Sequence, residues 1–267
     1  MEVNQFFARH AVFTHDQFVD FLKSNGSGNA RTQDTLLAYH VKAGHVLRIK
    51  RGLYAVVPEG ASAEDYPVDP YLVAAKATPD SLLAYHTALD FYGRAYSTFR
   101  HLHYLTSTWS RSFSFRSYNF HPARFPKAIR DTKHSNYGVK TEDRVGLDVR
   151  VTSLERTLVD VVDRPDLSGG WEEIWRSLES VEYFDLDQVV EYTLLLDNAT
   201  TAAKVGFFLE QHRQSLMVEE SYLKALQERK PEKPVYLSRR NRKSGHLLVN
   251  WNLLVPQQIL EQSWQEV

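Results

Sequence analysis

Residues 46–57 hold two short β-prone runs, Val46-Leu47-Arg48-Ile49 and Leu53-Tyr54-Ala55-Val56-Val57, joined by Lys50-Arg51-Gly52. That pattern predicts a hairpin, because a glycine at the end of a tight turn adopts positive φ without steric cost. What precedes it is helical in pattern. A short helix is predicted over about 2–9. Thr14 and Gln17 have the spacing of a capping box, and Phe13 and Phe18 that of a hydrophobic staple. Phe18, Phe21 and Leu22 then form an apolar stripe. Asn25-Gly26-Ser27-Gly28-Asn29 is a polar stop. A further helix is predicted over about 30–43, with Leu36, Leu37, Val41 and Gly44 on one side and Arg31, Thr35, Ala38 and Lys42 on the other. Helix, turn, helix and hairpin within residues 1–60 predict a winged helix-turn-helix.

Such a motif presents the outer face of its second helix to the DNA major groove and its wing to the phosphates. The candidate DNA-binding residues are Arg31, Thr32, Thr35, Tyr39 and Lys42 on the helix and Arg48, Lys50 and Arg51 on the wing. The plainer reading is a soluble hairpin tip with ordinary surface charges.

The net charge of -1 conceals strong segregation. Residues 91–140 carry nine Lys/Arg against one acid, whereas residues 141–228 carry eight against nineteen. Residues 229–250 are again basic, with seven against one. Basic segments attract phosphate backbones, so Arg111, Arg116, Arg124 and Lys127 are candidates for a secondary DNA contact. The alternation Arg111-Ser112-Phe113-Ser114-Phe115-Arg116 fits either a nucleic-acid platform or a half-buried strand with its aromatics in a core. The core strand is the favoured reading.

The absence of cysteine excludes disulfides, zinc–thiolate sites and cysteine nucleophiles. Charges through the first twenty-five residues leave no signal-peptide core, and no apolar run reaches the roughly 18 residues of a membrane helix. The expectation is a cytoplasmic protein without membrane contact.

The expected fold class is α+β: the winged helix-turn-helix is followed by a larger mixed α/β domain over 61–230 with a helical C-terminal half. A basic extension over 231–267 is expected to pack on that domain. Asp69-Pro70 should open a helix to about Ala77, and Asp80 another to Gly93. His101–Thr106, Arg111–Phe120, Tyr137–Lys140 and Leu147–Val151 are predicted strands. Thr152 with Glu155, and Asp185 with Gln188, should cap helices, and two more are predicted over 201–213 and 218–228. The last segment should hold a short strand at 235–237, a basic loop (Arg239, Arg240, Arg242, Lys243) and a terminal helix near 256–264.

Leu47-Arg48-Ile49-Lys50-Arg51-Gly52-Leu53-Tyr54-Ala55 resembles the wing of the AbiEi-type antitoxins of bacterial type IV toxin–antitoxin systems. Three further segments follow in the family's order: Asp80–Gly93, a helix containing Ala84-Tyr85-His86-Thr87-Ala88-Leu89; Val151–Asp160 with Glu155-Arg156-Thr157-Leu158; and the helix around Ala202–Leu209. The similarity spans residues 1 to about 225. It departs at the extended polar turn Ser24–Asn29 and in the basic tail after 229. The resemblance implies a phage-defence autorepressor that binds double-stranded operator DNA with repeats. It also implies that the larger domain counters a nucleotidyltransferase-like toxin, with direct contact an open question.

Two rival functions fit parts of the pattern. One is a restriction-like DNA nuclease with a winged-helix head, but Asp148-Val149-Arg150 lacks the lysine such a site needs. Asp185-Leu186-Asp187 imitates a nucleotidyltransferase metal pair but lacks the preceding Gly-Ser, and Asp185 is better read as a helix cap. The other is a DNA-bound adaptor whose acidic helices dock a protein. No phosphate loop, zinc-protease or hydrolase motif is present. His86 is expected to be a packed or solvent-facing residue, and the eleven histidines look scattered. No catalytic residue, cofactor or metal ligand is therefore assigned, and the chain is read as a non-enzyme.

Overall fold

The computed structural model describes every residue except Met1, Ser27, Gly28, Asp131, residues 238–244 and Val267. The basic-loop residues Arg239, Arg240, Arg242 and Lys243 lie outside the described residues. The fold is mixed α and β, as the sequence predicts. The chain forms two compact units. The first comprises 1–83, 100–123 and 141–150, and the second 84–99, 124–140 and 151–267.

The first unit opens with α1 (Glu2–Arg9), β1 (Val12–Thr14), α2 (His15–Ser24), α3 (Ala30–Lys42), β2 (Val46–Lys50) and β3 (Leu53–Val56). The strands form an antiparallel sheet in the order β1-β3-β2. The capping box is present: the Thr14 hydroxyl accepts from the Gln17 backbone N–H, and the Gln17 carboxamide accepts from the Thr14 backbone N–H. Phe6, Phe13, Phe18, Leu22, Leu37 and Val46 make the core beneath α2 and α3. The Phe6 ring meets Phe13, Phe18 and Phe21 at centroid distances of 5.2, 5.5 and 5.0 Å. The inner stripe of α3 is Gln33, Leu37 and His40, whereas Leu36 and Val41 are only half-buried. The helix is thus rotated from the expected orientation and carries two polar side chains inward.

After α4 (Pro70–Ala75), whose N-cap Asp69 accepts from Tyr71 and Leu72 N–H, come β4 (Leu82–Leu83), α5 (His86–Phe91), β5 (His101–Leu105), β6 (Phe113–Phe115), β7 (Tyr118–Ala123), β8 (Val139–Arg144) and β9 (Leu147–Thr152). The strands form a sheet in the order β6-β7-β5-β4-β9-β8. Two expectations fail here. Asp80 does not open a helix: its carboxylate accepts from the Thr106 hydroxyl (2.5 Å) and Ser107 N–H (2.6 Å), and Leu82 and Leu83 pair with β5, fully buried. Burial on both faces outweighs the helical reading of that run. Arg111–Phe120 is a hairpin rather than one strand, because the chain turns at Arg116 with φ +52°.

The second unit is mainly helical: α6 (Leu154–Asp163), α7 (Trp171–Glu179), α8 (Leu186–Leu195), α9 (Ala199–Gln211) and α10 (Glu220–Gln227). α6 is capped by Ser153, not Thr152; the Ser153 hydroxyl accepts from Arg156 N–H. Thr152 is fully buried and hydrogen-bonds Thr157 instead. Asp185 caps α8 as expected. The chain continues through β10 (Val235–Tyr236), β11 (Gly245–Leu248), β12 (Leu253–Pro256) and α11 (Gln257–Leu260), with the strands ordered β10-β12-β11. Trp251, between β11 and β12, packs on α9 where Gly206 offers no Cβ, and its indole N–H donates to Glu210 (2.7 Å). No described helix is long and apolar enough to cross a membrane.

Candidate nucleic-acid interface

The side of α3 that carries Asp34, Leu37, Ala38, Val41 and Lys42 and the wing line a groove of about 840 Å³ within the first unit, and Arg31, Thr32, Thr35 and Tyr39 lie outside it. Lys42, Arg48 and Arg51 line it together with His15, Asp34, Ala38 and Tyr54. Three local features shape it. Arg48 pairs with Tyr54 and Lys50 with Leu53, so β2 bulges at Ile49; this turns Ile49 into the core and leaves Arg48 exposed. Gly52 sits at φ +79°, the left-handed conformation that closes the turn. Its carbonyl accepts from His15 N–H (2.9 Å), which ties the wing to the start of α2.

Arg31, Thr32, Thr35 and Tyr39 are all exposed on α3, and Tyr39 is 61% accessible. Asn29 caps the helix by accepting from Arg31 N–H (3.0 Å). The Thr35 hydroxyl donates to the Arg31 carbonyl (2.7 Å), so its oxygen can still accept a hydrogen bond. Lys42 and Arg48 complete the cationic side of the groove.

Lys50 is placed otherwise. Its ammonium donates to the Ala77 carbonyl at 2.7 Å and lies 4.4 Å from the centre of the Phe113 ring. Burial pushes its pKa down. Arg51, exposed, is the cation at the wing tip.

His15 and Asp34 escaped the sequence reading. His15 Nε2 lies 2.9 Å from Asp34 Oδ1, with Asp16 3.7 Å from its other ring nitrogen. The signal was available, since Asp34 is three residues from Arg31 and shares its face.

The four candidates for a secondary contact fall into both units. In the first, Arg111 lies over Trp109 (5.1 Å), and the Arg116 guanidinium donates to the Ala63 and Glu64 carbonyls. The Phe113 ring stacks on Phe120 at 4.7 Å, which fits the core-strand reading of this segment. Arg124 and Lys127 belong to the second unit and are exposed.

Arg156, Thr157 and Leu158 of the Glu155-Arg156-Thr157-Leu158 stretch lie in the interior of the second unit, and Glu155 is half-buried. Arg156 is fully buried; it donates to the Ser135 (2.9 Å) and Tyr137 (2.6 Å) carbonyls and pairs with Asp160 (3.4 Å). Asp160 also accepts from the Tyr192 hydroxyl (2.8 Å). Burial raises the Asp160 pKa to about 6 against the opposing charge of Arg156. A Cβ on Gly138 would stand 2.9 Å from Arg156 Cβ, so this backbone approach needs glycine. The motif is an organising polar network of the fold. His86 is likewise buried, 3.1 Å from Glu173 and stacked on Phe99 at 4.0 Å.

No curated protein matches the sequence at a significant level. Among solved structures, the crystal structure of the RV2827C protein from Mycobacterium tuberculosis covers 99% of this chain and 93% of its own, with a TM-score of 0.64 and 16% identity. At that identity the likeness is one of fold. Residues 1–57, the helix-turn-helix and wing that build the groove, match the model of the family described as transcriptional regulator, AbiEi antitoxin.

Proposed function

We propose that this chain is a DNA-binding transcriptional autorepressor and antitoxin that counters a nucleotidyltransferase-like toxin. In this reading residues 1–60 bind operator repeats, residues 61–230 act against the toxin, and residues 231–267 are an extension of that domain. The observation that carries the DNA-binding part is the groove itself: Lys42, Arg48 and Arg51 line one concave surface beside the exposed Arg31–Tyr39 face of α3. A helix set for the major groove with cations flanking it is the geometry of backbone anchoring plus base readout. The match of residues 1–57 to antitoxin regulators supports the pairing of repression with toxin control.

The test is fluorescence anisotropy with DNA from upstream of the chain's own gene and with random duplex. Preference for the upstream DNA is expected. The Lys42→Ala/Arg48→Ala/Arg51→Ala variant should lose affinity and reduce the log–log salt slope by about 2.7, at about 0.9 per phosphate contact. Equal affinity for both duplexes would remove the repressor reading. Co-expression with an adjacent nucleotidyltransferase gene tests the other half, where failure to restore growth would remove the antitoxin reading.

A further inference from the structure

Three histidines that are scattered in sequence meet on one face of the larger sheet of the first unit. β5 and β7 pair in parallel with His103 opposite His121 and His101 opposite Asn119. Residues two apart on a strand share a face, so His101, His103 and His121 lie on one face, with His121 directly beside His103 and diagonal to His101. Leu102 and Tyr104 take the other face and are buried. The His121 ring lies 5.6 Å from that of His101 and 5.3 Å from that of His103, stacked on the latter at 28°.

The nitrogen separation suits a shared ion. His101 Nδ1 and His121 Nε2 are 3.4 Å apart, long for a hydrogen bond. Two imidazole nitrogens bound to one tetrahedral zinc at about 2.0–2.1 Å stand roughly 3.3–3.4 Å from each other. The second ring nitrogen of His121, Nδ1, lies 3.1 Å from the Ser112 hydroxyl. An N–H donated there leaves the Nε2 lone pair facing His101, the outer-shell arrangement of a metal-binding imidazole. His101 is exposed, giving an ion a route in. Among the described residues no group of three or more such side chains converges on a metal position, so the feature is a two-nitrogen chelate.

We propose that His101 and His121 chelate one divalent transition-metal ion of the imidazole-preferring class, with Ser112 orienting His121. Neutral imidazoles select zinc, copper and nickel over magnesium and calcium, which prefer oxygen ligands.

The test is isothermal titration of the untagged full chain with Zn²⁺, paired with NMR of the histidine ring signals. One zinc per chain is expected, with the His101 and His121 signals shifting. His101→Ala and His121→Ala should each abolish that site, and Ser112→Ala should weaken it about 10-fold. His45→Ala is the control, because His40 Nδ1 and His45 Nδ1 are 3.3 Å apart elsewhere in the unit. Circular dichroism establishes that each variant folds. Zinc binding that survives His121→Ala, or is lost in His45→Ala instead, would overturn the proposal. So would binding only at millimolar zinc or no binding at all.

Discussion

Lys50 donates its ammonium to the Ala77 carbonyl at 2.7 Å, so that of two adjacent basic residues in the wing, only Arg51 faces the groove. Lys50→Ala should therefore cost stability and leave the salt dependence of DNA binding unchanged. Arg51→Ala should do the reverse and lower the log–log salt slope by about 0.9. Thermal melts and salt titrations of the two single variants separate the roles; a slope change on Lys50→Ala would show that Lys50 swings out to bind phosphate.

Arg31 stands at the first turn of α3, where a groove-inserted helix meets base edges. Arg31→Ala should cost about 1–3 kcal/mol on the operator if it pairs with a guanine, and much less on random duplex. An equal loss on both duplexes would identify Arg31 as a phosphate contact.

Gly206 on α9 faces the Trp251 ring so closely that an added Cβ would lie 2.1 Å from it. Because Trp251 is fully buried, the ring has nowhere to retreat. Gly206→Ala should destabilise the chain by about 1–3 kcal/mol or more through overpacking. Trp251→Leu should recover part of that loss in the double variant, even though it is itself destabilising. Chemical denaturation of the four proteins gives the coupling; strict additivity would mean the two residues do not touch.

Glu173 supplies a pH dependence. Burial alone would raise its pKa, but the hydrogen bonds from His86 and Ser97 outweigh that and hold it below the usual value. A carboxyl depressed in the folded state contributes stability that is present above its unfolded pKa, about 4.3, and lost as the pH falls through the folded value. Glu173→Gln should flatten the acid side of the stability profile. Urea midpoints measured from pH 6 down to pH 3 check this, and an unchanged acid limb in the variant would remove Glu173 as its source.

Apart from the α6 cap, which falls on Ser153 rather than Thr152, features governed by a few neighbouring residues were determined by the sequence. Thr14 with Gln17, Asp69 before Pro70 and Asp185 with Gln188 all cap the helices their spacing predicts, because capping satisfies N–H groups within one turn. The wing turn is equally local, fixed by one glycine at positive φ. Tertiary structure decided what depends on distant partners. Leu82 and Leu83 are a strand because β5 is there to receive them. Arg116, whose guanidinium reaches the Ala63 and Glu64 carbonyls, turns a run that reads as one strand. Arg156 is buried because Asp160 and the carbonyls of residues 135 and 137 surround it. His101 and His121 meet only through the parallel register of β5 and β7. Local propensity acts over about four residues, whereas the pairing of β4 with β5, the register of β5 with β7 and the carbonyls around Arg156 involve groups 18 to 23 positions apart, which no short window along the chain contains.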